Sequence, residues 1–118
     1  MKDIFVKMSY EEFEFYCKEH FPKLNTYDFG IGPGWRKLII PILSAMNESI
    51  DKDGLPLYIS QVKEKFGMLR FYSNYTDEIG LIIQNAERKS KNTCEVCGKR
   101  AKIIEVDGWF RCLCKGCR

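Results

Sequence analysis

Cys94-x-x-Cys97 and Cys114-x-x-Cys117 set four thiols in two hooks, with sixteen residues between them. Two such hooks supply the four thiolates that a tetrahedral Zn²⁺ requires, and the segment between them is long enough for one β-hairpin. Each hook must bring two sulfurs to about 2.3 Å from one ion, and a turn of two intervening residues puts both on the same side of the backbone. Gly98 directly follows the first hook, where positive φ lets backbone N–H groups turn toward the sulfurs; Gly116, inside the second hook, is expected to do the same. Residues 92–118 therefore read as a zinc ribbon with Cys94, Cys97, Cys114 and Cys117 as ligands and strands near 101–107 and 109–113. Redox C-x-x-C motifs occur singly near the start of a helix, and a disulfide framework belongs to small secreted chains, so both alternatives fit less well.

Two further cysteines need separate readings. Cys112 and Cys114 are two apart on a strand, share one face, and can each reach the metal. Cys114 is preferred because it alone repeats the two-residue hook; with Cys112 the loop would be Cys112-x4-Cys117. Cys17 lies on the apolar face of an expected helix and reads as a small core residue.

Catalysis is not expected. A zinc closed by four cysteines keeps no position for water. His20 is the sole histidine, on an apolar helix face, so there is no paired-histidine nuclease centre and no supported Cys–His pair. Glu11 and Glu12 face solvent. Glu64, flanked by Lys63 and Lys65, is the one acid whose setting stands out.

Charge is uneven along the chain. Residues 88–118 hold nine Lys/Arg against three Asp/Glu, whereas residues 1–60 hold seven against nine. Lys99, Arg100, Lys102, Arg111 and Lys115 make the ribbon attractive to phosphates or to an acidic protein, although a solvated surface around an anionic metal site would look the same.

The elements that must position these residues suggest an α+β fold: about three helices and a β-hairpin, packed with the C-terminal ribbon. Ser9-Tyr10-Glu11-Glu12 is a capping box, followed by Phe13, Tyr16, Cys17, His20 and Phe21 at helical spacing and by Pro22. Gly30-Ile31-Gly32-Pro33-Gly34 reads as a turn and lacks the features of a nucleotide loop. Trp35, Leu38, Ile39, Ile42, Leu43, Met46 and Ile50 then mark a second helix, with Pro41 expected to kink it near Lys37 and a stop before Asp51-Lys52-Asp53-Gly54. Residues 57–72 predict a hairpin turning at Lys65-Phe66-Gly67. Thr76 caps a third helix with Ile79, Ile82, Ile83 and Ala86 inward and Arg88, Lys89 and Lys91 at its C-terminal end, almost abutting Cys94. A body of residues 1–91 and a ribbon of 92–118 are thus expected to form one compact unit. The charged start, Met1 to Lys7, lacks the apolar run of a signal peptide, and no stretch suits a membrane span. A reducing, cytoplasmic setting is expected.

On the hairpin, Lys63, Lys65 and Arg70 interleave with Phe66, Phe71 and Tyr72. Aromatics that stack on bases beside cations that meet phosphates would suit a single-stranded nucleic acid, and an amphipathic hairpin over a core has the same composition.

Lys63-Glu64-Lys65-Phe66-Gly67-Met68-Leu69-Arg70-Phe71-Tyr72, then a helix, then Cys94-Glu95-Val96-Cys97-Gly98 and Trp109 through Cys117 resemble a family of small uncharacterised proteins of bacteriophage and bacterial genomes. Gly34-Trp35 fits as well, so the likeness covers residues 34–118. It implies a phage or bacterial cytoplasmic context without a mechanism, and Cys112 departs from its pattern, which makes that residue a bystander. The function expected is binding to a protein, for instance a phage-type inhibitor or modulator of a host or defence complex. The alternative is a nucleic-acid-binding accessory or regulator that uses the basic ribbon.

Overall fold

Ser9 opens the first helix by the reciprocal exchange its sequence predicts: its hydroxyl accepts the Glu12 N–H at 3.1 Å and the Glu12 carboxylate accepts the Ser9 N–H at 2.9 Å. In the computed structural model, which describes residues 3–25 and 29–118, this helix is α1, Tyr10–His20. Met1 and Lys2 of the charged N-terminal stretch, and residues 26–28, lie outside the described residues. Phe13 and Cys17 turn inward from α1. His20 does not: it is exposed, stacked on Tyr16 at 3.9 Å, because its i−4 partner Tyr16 sits at the edge of the buried stripe.

A 3-10 turn, Pro33–Trp35, leads into α2, Arg36–Asp53. The helix runs through the Asp51-Lys52-Asp53 cluster expected to end it, since Lys52 pairs with Glu48 one turn back at 2.7 Å and Gly54, at φ 66°, supplies the left-handed cap. The buried face of α2 carries Leu38, Ile39, Ile42, Leu43 and Met46, each large side chain contributing about 1.5–3 kcal/mol by burial. Arg36 is buried as well; its Nη1 donates to the Phe5 and Met8 carbonyls at 2.8 and 2.7 Å, tying the segment before α1 to the core.

The hairpin forms as β2, Ile59–Lys65, and β3, Met68–Ser73, in the register Val62 to Phe71 and Lys65 to Met68. A third strand that the sequence reading did not anticipate, β1 at Phe29–Gly30, pairs parallel with β2, giving the order β1-β2-β3. Helix α3, Asp77–Ser90, starts where Thr76 Oγ1 accepts the Ile79 N–H at 3.2 Å, and buries Ile79, Ile83 and Ala86. One core joins these residues to Phe13, Trp35, Val62, Leu69 and Phe71. Helix α3 also serves the outer strand: Ser90 Oγ accepts the Leu69 N–H at 3.0 Å and Glu87 Oε2 accepts the Phe71 N–H at 3.0 Å.

The C-terminal hairpin comprises β4, Lys102–Val106, and β5, Trp109–Leu113, joined by Asp107 and Gly108 at φ 50° and 84°. Its two faces have different duties. Ile103 and Cys112, a cross-strand pair, contribute to the main core, while Ile104 and Leu113 pack with the four hook cysteines. A Cβ on Gly67 would press the Ile103 side chain at 3.0 Å, so the tip of the β2–β3 hairpin rests on this second hairpin. Among the described residues no helix is long and apolar enough to cross a membrane.

Candidate metal centre

The first hook is a tight backbone knuckle. Cys94 N–H donates to Lys99 O at 2.7 Å and Gly98 N–H returns to Cys94 O at 2.9 Å, with Gly98 at φ 80° as the spacing predicts. The second hook follows β5 directly: the chain turns at Cys114 into a 3-10 turn, Lys115–Cys117, closed by Cys117 N–H on Cys114 O at 3.1 Å. Gly116 is not among the positive-φ residues, correcting the expectation that it mirrors Gly98; its N–H reaches the Cys114 sulfur from ordinary turn geometry.

Together the hooks bring Cys94, Cys97, Cys114 and Cys117 so close that their sulfurs all lie within 4.8 Å of one another. Four sulfurs at 2.3 Å from a tetrahedral ion sit about 3.8 Å apart, so the cluster has the size of a four-thiolate metal site. Electrostatics fit the same purpose. Burial works against ionising Cys94, but the N–H groups of Cys97, Cys114 and Val96 aimed at its sulfur hold the thiol down at about 6. Cys114 is lowered too, chiefly by its hydrogen bond with the Cys97 thiol, whereas Cys117 is raised to about 12, chiefly by its contacts with Cys114 and Cys97. Four thiols this close compete for charge, and a divalent cation among them removes the competition.

Cys112 stays apart. It is fully buried in the main core, its thiol donates to Lys91 O at 3.4 Å, and burial pushes it up to about 11. Strand alternation points Cys112 at the body and Leu113 at the cysteine cluster; the strand then ends, which frees Cys114 to swing to the metal side. Cys17 is a core residue whose thiol burial raises to about 12.

The body grips the first hook along its whole length. Gly34 N–H donates to Glu95 O at 2.9 Å, Trp35 Nε1 to Thr93 O at 2.7 Å, and Lys37 Nζ to Gly98 O at 2.7 Å. A Cβ on Gly34 would overlap the Cys94 carbonyl oxygen, and one on Gly32 the Glu95 carbonyl oxygen. The glycine run is thus more than a turn, because its backbone must lie flush against the knuckle. Asp3 adds a carboxylate 3.7 Å from Lys37 Nζ.

Beside the second hook lies an open groove of about 680 Å³. Four of the five ribbon cations singled out in the sequence, Lys99, Arg100, Lys102 and Lys115, line it together with Arg118, which was not among them; no Asp or Glu side chain of the described residues lines it. Arg111 is elsewhere: its guanidinium reaches Glu95 Oε1 through Nη2 at 2.6 Å and Nε at 2.7 Å. The hairpin residues form a separate group. Lys63 lies opposite Arg70 with its Nζ 5.9 Å from the Tyr72 ring centroid, and Lys65 Nζ lies 5.7 Å from that of Phe66, an exposed residue. Phe71 drops out of the expected aromatic platform because alternation turns it into the core. Glu64 is occupied in closing the hairpin, its Oε2 accepting the Gly67 N–H at 2.6 Å. Since Gly67 rests on Ile103 while the adjacent Lys102 lines the groove, the two basic groups lie on opposite faces of the β4–β5 hairpin. Comparison of the chain with protein-family models, with curated proteins and with solved structures found no match.

Proposed function

We propose that the protein is a zinc-stabilised binding module that holds the phosphate backbone of a nucleic acid in the basic groove beside its second cysteine hook. The observation that carries this reading is the convergence of Lys99, Arg100, Lys102, Lys115 and Arg118 on one open groove that no Asp or Glu side chain of the described residues lines. Four thiolates with one Zn²⁺ bring a formal −2, which leaves the groove with a cationic excess. Tetrahedral four-sulfur sites suit zinc or iron, and the ligand spacing suits a structural zinc. The ion's part is to fix the two hooks against each other; the chain's own cations then meet the phosphates. With all four positions taken by sulfur the centre has no place for a substrate, which favours binding over catalysis.

Binding of this kind releases counterions, so log K should fall with log salt by about 0.7–0.9 per phosphate contacted. The test is electrophoretic mobility shift or anisotropy over a salt series, on protein whose metal has been identified by elemental analysis. Replacing Lys99, Arg100 and Lys102 with Glu should abolish binding; unchanged affinity would reject the reading.

A protein partner is the second reading, favoured by one observation: Phe66 stands 65% exposed at φ 55°, a left-handed conformation that costs a bulky side chain about 1 kcal/mol or more. An interface built on such an aromatic would bind with little salt dependence, so the same salt series separates the two.

A further inference from the structure

We propose that the nucleic acid is single-stranded and that Trp109 is the platform on which one of its bases stacks; this rests on the groove reading above. Alternation along the β4–β5 hairpin sets Lys102, Ile104 and Val106 on one face with their cross-strand partners Leu113, Arg111 and Trp109. Lys102 lines the groove at one end of that face. Trp109 pairs with Val106 at the other, four residues along β4, or about 13 Å away at the rise of a strand. Between them the Arg111–Glu95 ion pair is neutral overall. The cysteine cluster covers Ile104 and Leu113 on this face, which leaves cations at one end and an aromatic ring at the other.

The fold does not account for this tryptophan. Its side chain is 75% exposed, the most exposed large apolar residue among the described ones, and Val106 opposite is itself partly exposed. Trp35, the other tryptophan, is fully buried with its indole N–H on Thr93 O. An exposed indole beyond a cationic groove offers its ring face to a flat apolar partner. In a duplex each base is covered by its neighbours, whereas a single strand offers free π-faces, and base–aromatic stacking tolerates any base. Phosphates on the groove cations and a base on Trp109 satisfy both ends of the face at once. Phe110 and Glu105 occupy the opposite face and take no part.

The experiment compares zinc-loaded wild type with Trp109→Ala, both as the full chain, against three probes: an oligothymidylate, a duplex of the same length, and inorganic polyphosphate. Trp109→Ala should weaken oligothymidylate binding between about 5- and 100-fold, the range for one lost stack. Polyphosphate binding should not change, and Trp109→Phe should recover most of the loss. Oligothymidylate should also quench the tryptophan emission of the wild type above the constant background of buried Trp35. Unchanged oligothymidylate affinity in Trp109→Ala would overturn the stacking role while leaving the groove intact. An equal loss on polyphosphate would make Trp109 structural, and an equal loss on duplex would make it a wedge between paired bases; either result also overturns the proposal. If wild type fails to bind polyphosphate, the groove reading falls and takes this inference with it.

Discussion

The two cysteine hooks share a spacing and little else. The first, Cys94 to Cys97, is held from outside: Gly34 bonds its backbone at Glu95, Trp35 and Lys37 bond the flanking carbonyls of Thr93 and Gly98, and Cys94 is fully buried. The second, Cys114 to Cys117, is folded on itself in one 3-10 turn, with Lys115 and Gly116 exposed and a groove at its side. One hook is embedded in the body and the other is exposed beside the groove, so a metal bound by both would tie an exposed loop to the packed core. Identical motifs need not have identical roles, and what separates them is which backbone lies against each.

The contrast can be broken most severely at the ligands. Cys97→Ser should release the metal and unfold the ribbon, since structural zinc sites contribute on the order of 10–16 kcal/mol. Cys112→Ser should keep one equivalent of metal by elemental analysis and lose only core stability. A full equivalent retained by Cys97→Ser would refute the ligand assignment.

The glycines sharpen the same contrast. Gly34→Ala drives a methyl into the Cys94 carbonyl and the Gly98 nitrogen, backbone atoms that cannot step aside, and should cost about 3 kcal/mol or more in urea unfolding. Gly116→Ala places its methyl no closer than 3.9 Å to the Cys114 sulfur and should fall within about 0.5 kcal/mol of wild type. Similar losses at the two positions would mean that the hooks are equally embedded.

The smallest effect is expected between the two hairpin turns. Asp107-Gly108 and Phe66-Gly67 both run through positive φ, which Asp tolerates and Phe does not. Phe66→Asn should therefore raise stability by about 0.5–1 kcal/mol, a gain of a few degrees in the thermal midpoint. A loss of stability would mean that Phe66 packs usefully where it stands.

Much of this was legible in advance because it is local. The capping box at Ser9, the cap at Thr76, the hairpin at 59–73 and the four-cysteine set all follow from signals within a few residues. What escaped was tertiary. Gly34 looks like any turn glycine until Cys94, sixty positions away in the chain, is laid against it. A two-residue strand such as β1 has no periodicity to read, and it exists only because Val62 and Lys63 are there to receive it. The hook spacing already favoured Cys114 over Cys112, and what it could not supply is the reason, that β5 stops at Leu113 with Cys112 turned into the body. Glu64 and Arg111 carried charge that looked available and proved to be spent on Gly67 and Glu95.

Ser90 and Glu87, which receive the Leu69 and Phe71 amides, have a consequence beyond the fold of one molecule. An outer strand with free amides is a template onto which another chain can add, the first step of runaway β-assembly. Helix α3 occupies those amides with side chains, so β3 offers an incoming strand no ladder to extend at these positions. Removing one hydroxyl, at the fully buried Ser90, would leave the Leu69 N–H without a partner inside the core, so the guard at this position also carries part of the stability of the fold.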